Sequence, residues 1–203
     1  MNNQNQAIEF EIAKIIPPKG IDAELSKCKD IFKDYYKSFN YSKGLYIFGN
    51  PGVGKTWSIY AIIKEIMRNS GELFIKDVFE DKKYIPQKNA IITSMAKIYE
   101  DLTVGQFNKE FNSAEYKNKL RHTDILMIDD FGMEKVSDYR QEILEDIINT
   151  RYENQEITFF TSNYDLDQLM YRIGGDIAGR RIVSRIIEMC DIIELHGEDK
   201  RLK

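Results

Sequence analysis

Apolar residues along this chain alternate between short continuous runs and three- to four-residue spacing, a rhythm that predicts strands and helices in turn. Runs at Gly44–Phe48, Ala90–Ile92, Ile125–Ile128, Ile157–Phe160 and Asp191–Leu195 predict five strands. Helical spacing follows the first run in Trp57, Tyr60, Ile63 and Ile66, and the second from Ser94 to about Leu102. Two longer helices are predicted from about Ser137 to Tyr152, with Ile143, Ile147 and Ile148 on one face, and from Ile177 to Cys190, with Ile182, Val183, Ile186 and Ile187 on one face. Upstream, Ile21, Leu25, Cys28, Ile31, Phe32, Tyr35, Tyr36 and Phe39 predict one amphipathic helix on the core sheet, with Asp22 near its start. Residues 1–20 are polar and then carry Pro17-Pro18, which predicts an extended lead-in arm ahead of a domain over 21–203.

Two stretches break the rhythm. From Ser70 to Asn89 the chain is rich in Lys, Asp and Glu and is interrupted by Pro86, the pattern of a surface insertion. From Thr103 to His122, Lys109, Lys117, Lys119 and Arg121 stand beside Phe107, Phe111 and Tyr116. Solvated helix faces and a DNA-contacting surface explain that mixture equally well.

With 203 residues and 42% hydrophobic content, the chain is of single-domain size, able to bury roughly 70% of the surface its unfolded form exposes. A formal net charge of −4 means that any nucleic-acid contact must come from a local basic surface. Cys28 and Cys190 lie far apart among apolar residues, which predicts buried free thiols in a reducing compartment. The N-terminus lacks a basic segment followed by an apolar core, and no apolar run approaches membrane-spanning length. The expectation is a cytoplasmic protein with no membrane partner.

The chemistry concentrates at strand ends. Gly49-Asn50-Pro51-Gly52-Val53-Gly54-Lys55-Thr56 fills the pattern G-x-x-x-x-G-K-[ST] between a strand and a helix, with Trp57 next in line. Such a turn curls backbone N–H groups around a β-phosphate at a helix N-terminus, places Lys55 on the β- and γ-phosphates, and turns the Thr56 hydroxyl to Mg²⁺. Ile125-Leu126-Met127-Ile128 ends in Asp129 and Asp130, the form of a Walker B motif. Asp129 is the candidate second metal-side ligand, acting through a coordinated water, and Asp130 the candidate group that orients or deprotonates an attacking water. Asn163, at the end of the Thr161-Ser162-Asn163 run, either hydrogen-bonds a γ-phosphate or the attacking water, or serves as a helix N-cap or turn before Asp165. Arg181 and Arg185, four residues apart, share a second face of the last helix.

In this order and spacing, GLYIFGNPGVGKT, ILMIDDFG, the FFTSN strand end and GRRIVSRIIEMC resemble the AAA+ ATPases of the DnaC/DnaI helicase-loader group and the related IstB transposition helper. The resemblance covers roughly Gly44 to Arg201 and includes the Asp-Asp strand end shared with DnaA-type initiators. It implies a three-layer P-loop α/β fold with a mostly parallel, doubly wound five-stranded sheet in the order 5-1-4-3-2. ATP with Mg²⁺ as cofactors and an open helical homo-oligomer on single-stranded DNA are implied as well, with a replicative helicase as a further partner. By resemblance Asp130 is the catalytic acid position, Asn163 is sensor 1, and Arg185 is the arginine finger offered to a neighbouring subunit. Asn149 and Arg151 match the family's Asn-x-Arg-Tyr. Two departures stand out: about forty residues precede the first strand, where loaders carry a helicase-gripping domain, and the chain ends soon after the last strand, so the small helical lid is expected to be absent. A transposition helper, a P-loop small-molecule kinase and a switch module that binds ATP without turnover are the competing expectations.

Overall fold

In the computed structural model, which describes residues 3–74, 83–86, 88–104, 112–134, 137–175 and 177–202, strands and helices alternate along the chain. In chain order the elements are α1 (Asn3–Ile15), α2 (Asp30–Ser38), β1 (Gly44–Phe48), α3 (Lys55–Asn69), β2 (Gly71–Phe74), β3 (Lys83–Pro86), β4 (Ala90–Ser94), α4 (Met95–Val104), α5 (Ser113–His122), β5 (Ile125–Asp129), α6 (Asp138–Glu153), β6 (Ile157–Ser162), α7 (Leu166–Arg172), α8 (Ile177–Met189) and β7 (Cys190–Glu194). Single 3-10 turns occupy Pro18–Gly20, Leu25–Lys27 and Lys200–Leu202.

The main sheet has five strands in the order β4-β5-β6-β1-β7. Numbered among themselves these are 5-1-4-3-2, the order that the resemblance implies. β1 runs parallel to β6 and β7, and β5 parallel to β6, so the C-terminal ends of β1, β5 and β6 lie at one edge of the sheet. This is the edge at which open α/β sheets place their ligands.

By its contacts the chain divides into two compact units, Met1–Phe39 with Thr56–Ala90, and Asn40–Lys55 with Ile91–Lys203. In the second unit one face of the sheet, carrying Tyr46, Leu126, Ile128 and Phe160, shares a core with Ile98 of α4, Leu120 of α5, Ile147 of α6, Leu169 of α7 and Ile186 of α8. The opposite-facing Leu45, Ile47, Met127 and Phe159 are equally buried. Strands buried on both faces read as continuous apolar runs, which is why the sequence pattern located them. On α8 the core face holds Ile182, Val183, Ile186 and Met189, whereas Ile187, expected on that face, is half exposed.

Arg151, fully buried near the C-terminus of α6, ties three elements together. Its guanidinium donates to Leu120 O (3.0 Å), Arg121 O (3.3 Å), Thr123 O (2.8 Å), Ile157 O (2.7 Å) and the Thr158 hydroxyl (2.9 Å). Burial pushes its pKa down to about 10, with Glu156 and Asp124 opposing, so it keeps its charge at neutral pH. The end of α5, the lead into β5 and the start of β6 are thereby held on one cation.

In the first unit three expectations change. The predicted extended arm over 1–20 is helical from Asn3 to Ile15, with Ile12 and Ile16 buried one turn apart. Pro17 and Pro18 stop that helix rather than preclude it, because a proline constrains the turn before it and not the turns further upstream. Glu9 of α1 pairs with Arg68 of α3 at 2.6 Å, so these residues are part of the unit and not a separate arm.

The single helix predicted from Ile21 shortens to α2. The backbone is extended at Glu24 (ψ 135°) and again at Cys28 and Lys29 (ψ 162° and 152°), which breaks the run into single turns ahead of α2, and the Ile21 carbonyl accepts from the buried Lys64 ammonium at 2.6 Å. The insertion predicted over 70–89 contains an antiparallel two-stranded ribbon, β2 with β3. In the mixed-charge stretch, Lys109, Phe107 and Phe111 fall outside the described residues. Arg121 and Lys117 both pair with Asp146, and Lys119 pairs with Glu115, as solvated helix faces do. Cys28 and Cys190 are buried and outside any disulfide, as expected, with their thiols donating to Glu24 O (3.5 Å) and Thr158 O (3.3 Å).

Candidate functional site

β1 ends at Phe48 and passes into the turn Gly49–Gly54, after which Lys55 opens α3. All three glycines of the turn have positive φ, Gly49 at +141° included. Gly52 has φ +75°, and a Cβ there would come within 1.7 Å of Asp199 Oδ1; Gly54 has φ +100°. Val53 is buried, and the Lys55 side chain is only 6% exposed.

All three protons of the Lys55 ammonium have acceptors, Gly49 O at 2.7 Å, Asn50 O at 2.9 Å and Asn163 Oδ1 at 2.8 Å. Burial holds its pKa below the usual lysine value, opposed by Asp130 and Asp129, while Arg201 adds to the depression. A desolvated cation fixed at the mouth of a glycine turn is a preformed anion site. The backbone cradle and this lysine therefore fit a triphosphate.

Beside it, the end of β5 presents two carboxylates in different settings. Asp129 is buried and its Oδ1 accepts from the Thr161 hydroxyl at 2.5 Å. Asp130 is exposed and sits at φ +54°, a left-handed backbone that costs a non-glycine residue of order 1–3 kcal/mol. Several bonds hold it there: the Asp130 N–H donates to Thr161 Oγ1 (3.1 Å), the Phe131 N–H to Thr161 O (2.7 Å), and the Ser162 hydroxyl to Phe131 O (2.7 Å). Arg172 closes the loop from the far side, donating to Gly132 O at 2.6 Å and Met133 O at 2.9 Å while stacking on Tyr164 at 4.5 Å.

Asn163 is not the cap of α7. That position belongs to Asp165, which forms a reciprocal capping box with Gln168. Asn163 instead faces Lys55 through Oδ1 and Met133 Sδ through Nδ2 at 3.4 Å.

Gly49, Asn50, Pro51, Gly52, Val53, Gly54, Lys55, Asp129, Asp130 and Asn163 all lie in the second unit. Thr56 and Trp57 are half-buried residues of α3 counted with the first unit, where the Trp57 indole N–H donates to Asp22 at 3.4 Å. On α8, Arg181 is exposed and lies 3.7 Å from Glu145, whereas Arg185 is half buried over the Tyr152 ring at 5.7 Å. Both arginines thus meet residues of α6, as their four-residue spacing on a shared face implies, but Arg185 is the more covered of the two. Asn149, which precedes Arg151 and Tyr152 in the Asn-x-Arg-Tyr match, buries its amide oxygen without a donor.

Sequence reasoning overlooked Thr161, which bridges both acids, Arg172, and the segment Asp199–Arg201. Lys200 N donates to Gly52 O at 3.0 Å, laying that segment on the glycine turn. Only the acids' position after a strand could have pointed to Thr161; nothing local marks Arg172 or the chain beyond β7.

A family model described as IstB-like ATP binding protein matches residues 7–203. The chain belongs to this IstB-like ATP-binding family. Among curated relatives, the replicative helicase loader DnaI of Bacillus subtilis (strain 168) is 28% identical over 179 residues, 83% of this chain and 51% of the relative. The replicative helicase loader DnaC of Buchnera aphidicola subsp. Baizongia pistaciae is 28% identical over 157 residues, 76% of this chain and 54% of the relative. This IstB-like chain thus spans about half the length of the curated loaders it matches.

Among solved structures, a DnaI crystal structure superposes with TM-score 0.71 at 23% identity, covering 92% of this chain and 94% of that one. The AMPPCP-bound DnaA of Aquifex aeolicus superposes with TM-score 0.64 at 18% identity, covering 91% and 52%. The IstB-like chain shares their P-loop AAA+ fold. Among the described residues no helix is long and apolar enough to cross a membrane.

Proposed function

We propose that this IstB-like protein is a cytoplasmic ATPase of DNA replication, a compact helicase loader that binds and hydrolyses ATP and assembles with its own copies on single-stranded DNA. The observation that carries the reading is the convergence of Lys55, Asn163 and the acids Asp129 and Asp130 at one sheet edge beside the glycine turn. In this reading the backbone of Gly49 to Lys55 holds the phosphates and Thr56 and Asp129 hold Mg²⁺, with Trp57 beside the nucleotide. Mg²⁺, when bound, supplies charge neutralisation at the phosphate oxygens. Asp130 orients or takes a proton from water, Asn163 fixes the γ-phosphate side, and Arg185 serves the site of a neighbouring copy. The names of the curated relatives support a replicative helicase as partner, and the family description supports a transposition helper as the second reading.

The test measures ATP hydrolysis across protein concentration, with and without single-stranded DNA. Specific activity is expected to rise with both. Arg185→Ala and Lys55→Ala proteins, each inactive alone, should regain activity when mixed, because one copy keeps the glycine-turn lysine and the other the arginine. Absence of any hydrolysis under saturating DNA and protein sinks the ATPase reading; no recovery in a mixture shown by sedimentation to co-assemble sinks the role of Arg185 between copies.

A further inference from the structure

Arg185 has an unusual environment for a half-buried cation. Its Nη1 is buried without a hydrogen-bond acceptor, and its guanidinium lies over the Tyr152 ring, 5.7 Å from the centroid. Glu188, three residues on along α8, stands at ion-pair spacing for a helix. It does not pair with Arg185. Its Oε2 instead accepts the Tyr152 hydroxyl at 2.6 Å. On α6, Glu145 lies 3.7 Å from Arg181.

One tyrosine thus does two things to one arginine: its ring carries the cation, and its hydroxyl occupies the carboxylate at ion-pair spacing. The difference matters for any outside anion. A guanidinium bonded to a carboxylate must give up charge-assisted hydrogen bonds before it can reach a phosphate, whereas an aromatic face supports the same cation without saturating its donors.

We propose that Tyr152 is a positioning residue for Arg185, holding Glu188 away so that the guanidinium stays an unpaired cation for the triphosphate of a nucleotide on a second copy of this chain. The inference rests on the reading of Arg185 given above, and the experiment separates the two. Tyr152→Phe keeps the ring and frees Glu188, which then turns to Arg185. Hydrolysis of Mg-ATP on single-stranded DNA, followed across protein concentration, should lose about tenfold of its concentration-dependent part, the size of one charge-assisted hydrogen bond to be surrendered. The double variant Tyr152→Phe/Glu188→Gln should recover most of that loss, because the competing carboxylate is gone. Nucleotide affinity of the isolated subunit and the thermal midpoint should stay near parental values in both.

If Arg185→Ala leaves the concentration dependence intact, the reading of Arg185 fails. If Arg185→Ala removes it but Tyr152→Phe does not, or if Glu188→Gln brings no recovery, the role of Tyr152 fails. A second measurement needs no turnover: the Arg185 side-chain resonances in ¹⁵N spectra of the full chain should move on Tyr152→Phe and move back on adding Glu188→Gln. Resonances unmoved by Tyr152→Phe would overturn the proposal even for a protein that hydrolyses nothing.

Discussion

Asn163 Oδ1 accepts a hydrogen bond from the Lys55 ammonium at 2.8 Å, so the amide at the end of β6 and the lysine after the glycine turn are one unit before any ligand arrives. The bond orients both partners. With its oxygen committed to Lys55, Asn163 turns its NH₂ group to Met133, and Lys55 is kept at the turn by two backbone carbonyls.

Lys55→Ala removes the buried cation to which this arrangement is built. Charge-assisted hydrogen bonds contribute about 1.5–3 kcal/mol each, so losing those that Lys55 makes to phosphate should weaken Mg-ATP by about a hundredfold or more. Calorimetric titration reads this directly, and parental affinity in the variant would remove the glycine turn as the nucleotide site.

The lowered pKa of Lys55 gives a pH dependence of definite sign. In the empty protein burial disfavours the ammonium, and a bound triphosphate favours it, so the complex binds the proton more tightly than the free protein. Affinity should therefore fall as pH rises through the depressed value, and binding in that window should take up protons. Titrations in alkaline buffers of different ionisation enthalpy would show the uptake. A pH-independent affinity in that range, or proton release, would contradict it.

Arg172 should act on turnover and not on binding. It touches neither the glycine turn nor Lys55, but it holds Gly132 O and Met133 O, the far end of the loop that keeps Asp130 at φ +54°. Arg172→Ala is expected to lower kcat by about tenfold or more, the scale of misplacing a general base, while KM and nucleotide affinity change little. Arg172→Lys should restore part of the rate through one of the two carbonyls. Equal losses in kcat and in affinity would assign Arg172 to the fold at large.

The centre of the sheet was legible because β1, β5 and β6 are buried on both faces: the runs ending at Phe48, Ile128 and Phe160 could be little else once a glycine turn and two acids followed them. Lys55, Asp129, Asp130 and Asn163 were legible for the same reason, since a parallel sheet carries its strand ends to a common edge. What the pattern missed depends on distant partners. The helix expected from Ile21 is broken by extended backbone at Glu24, Cys28 and Lys29, and the Ile21 carbonyl accepts from Lys64, forty-three residues away. Helical spacing put Arg185 on one face with Arg181, and only the position of Tyr152 on α6 shows that it is half covered. Asp199 and Lys200 reach the glycine turn through β7, whose place beside β1 no local pattern specifies.

Arg151 offers the sharpest separation of fold from site. It is fully buried and holds four backbone carbonyls and one hydroxyl without a carboxylate partner, so its charge is stabilised by dipoles from the end of α5, the approach to β5 and the start of β6. Arg151→Met fills most of the volume but leaves those carbonyls without a donor in a space that water does not reach. Each buried acceptor left unpaired costs about 1–3 kcal/mol, and partial relaxation will recover some of it, so a net loss of about 3 kcal/mol or more is expected. Urea unfolding would show it as a lower midpoint with unchanged slope. None of the groups that Arg151 holds belongs to the glycine turn or the Asp129–Asn163 edge, so the folded fraction should bind nucleotide with near-parental affinity. A variant as stable as the parent would mean that the carbonyls find other donors; a stable variant with lost nucleotide binding would instead place Arg151 in the site.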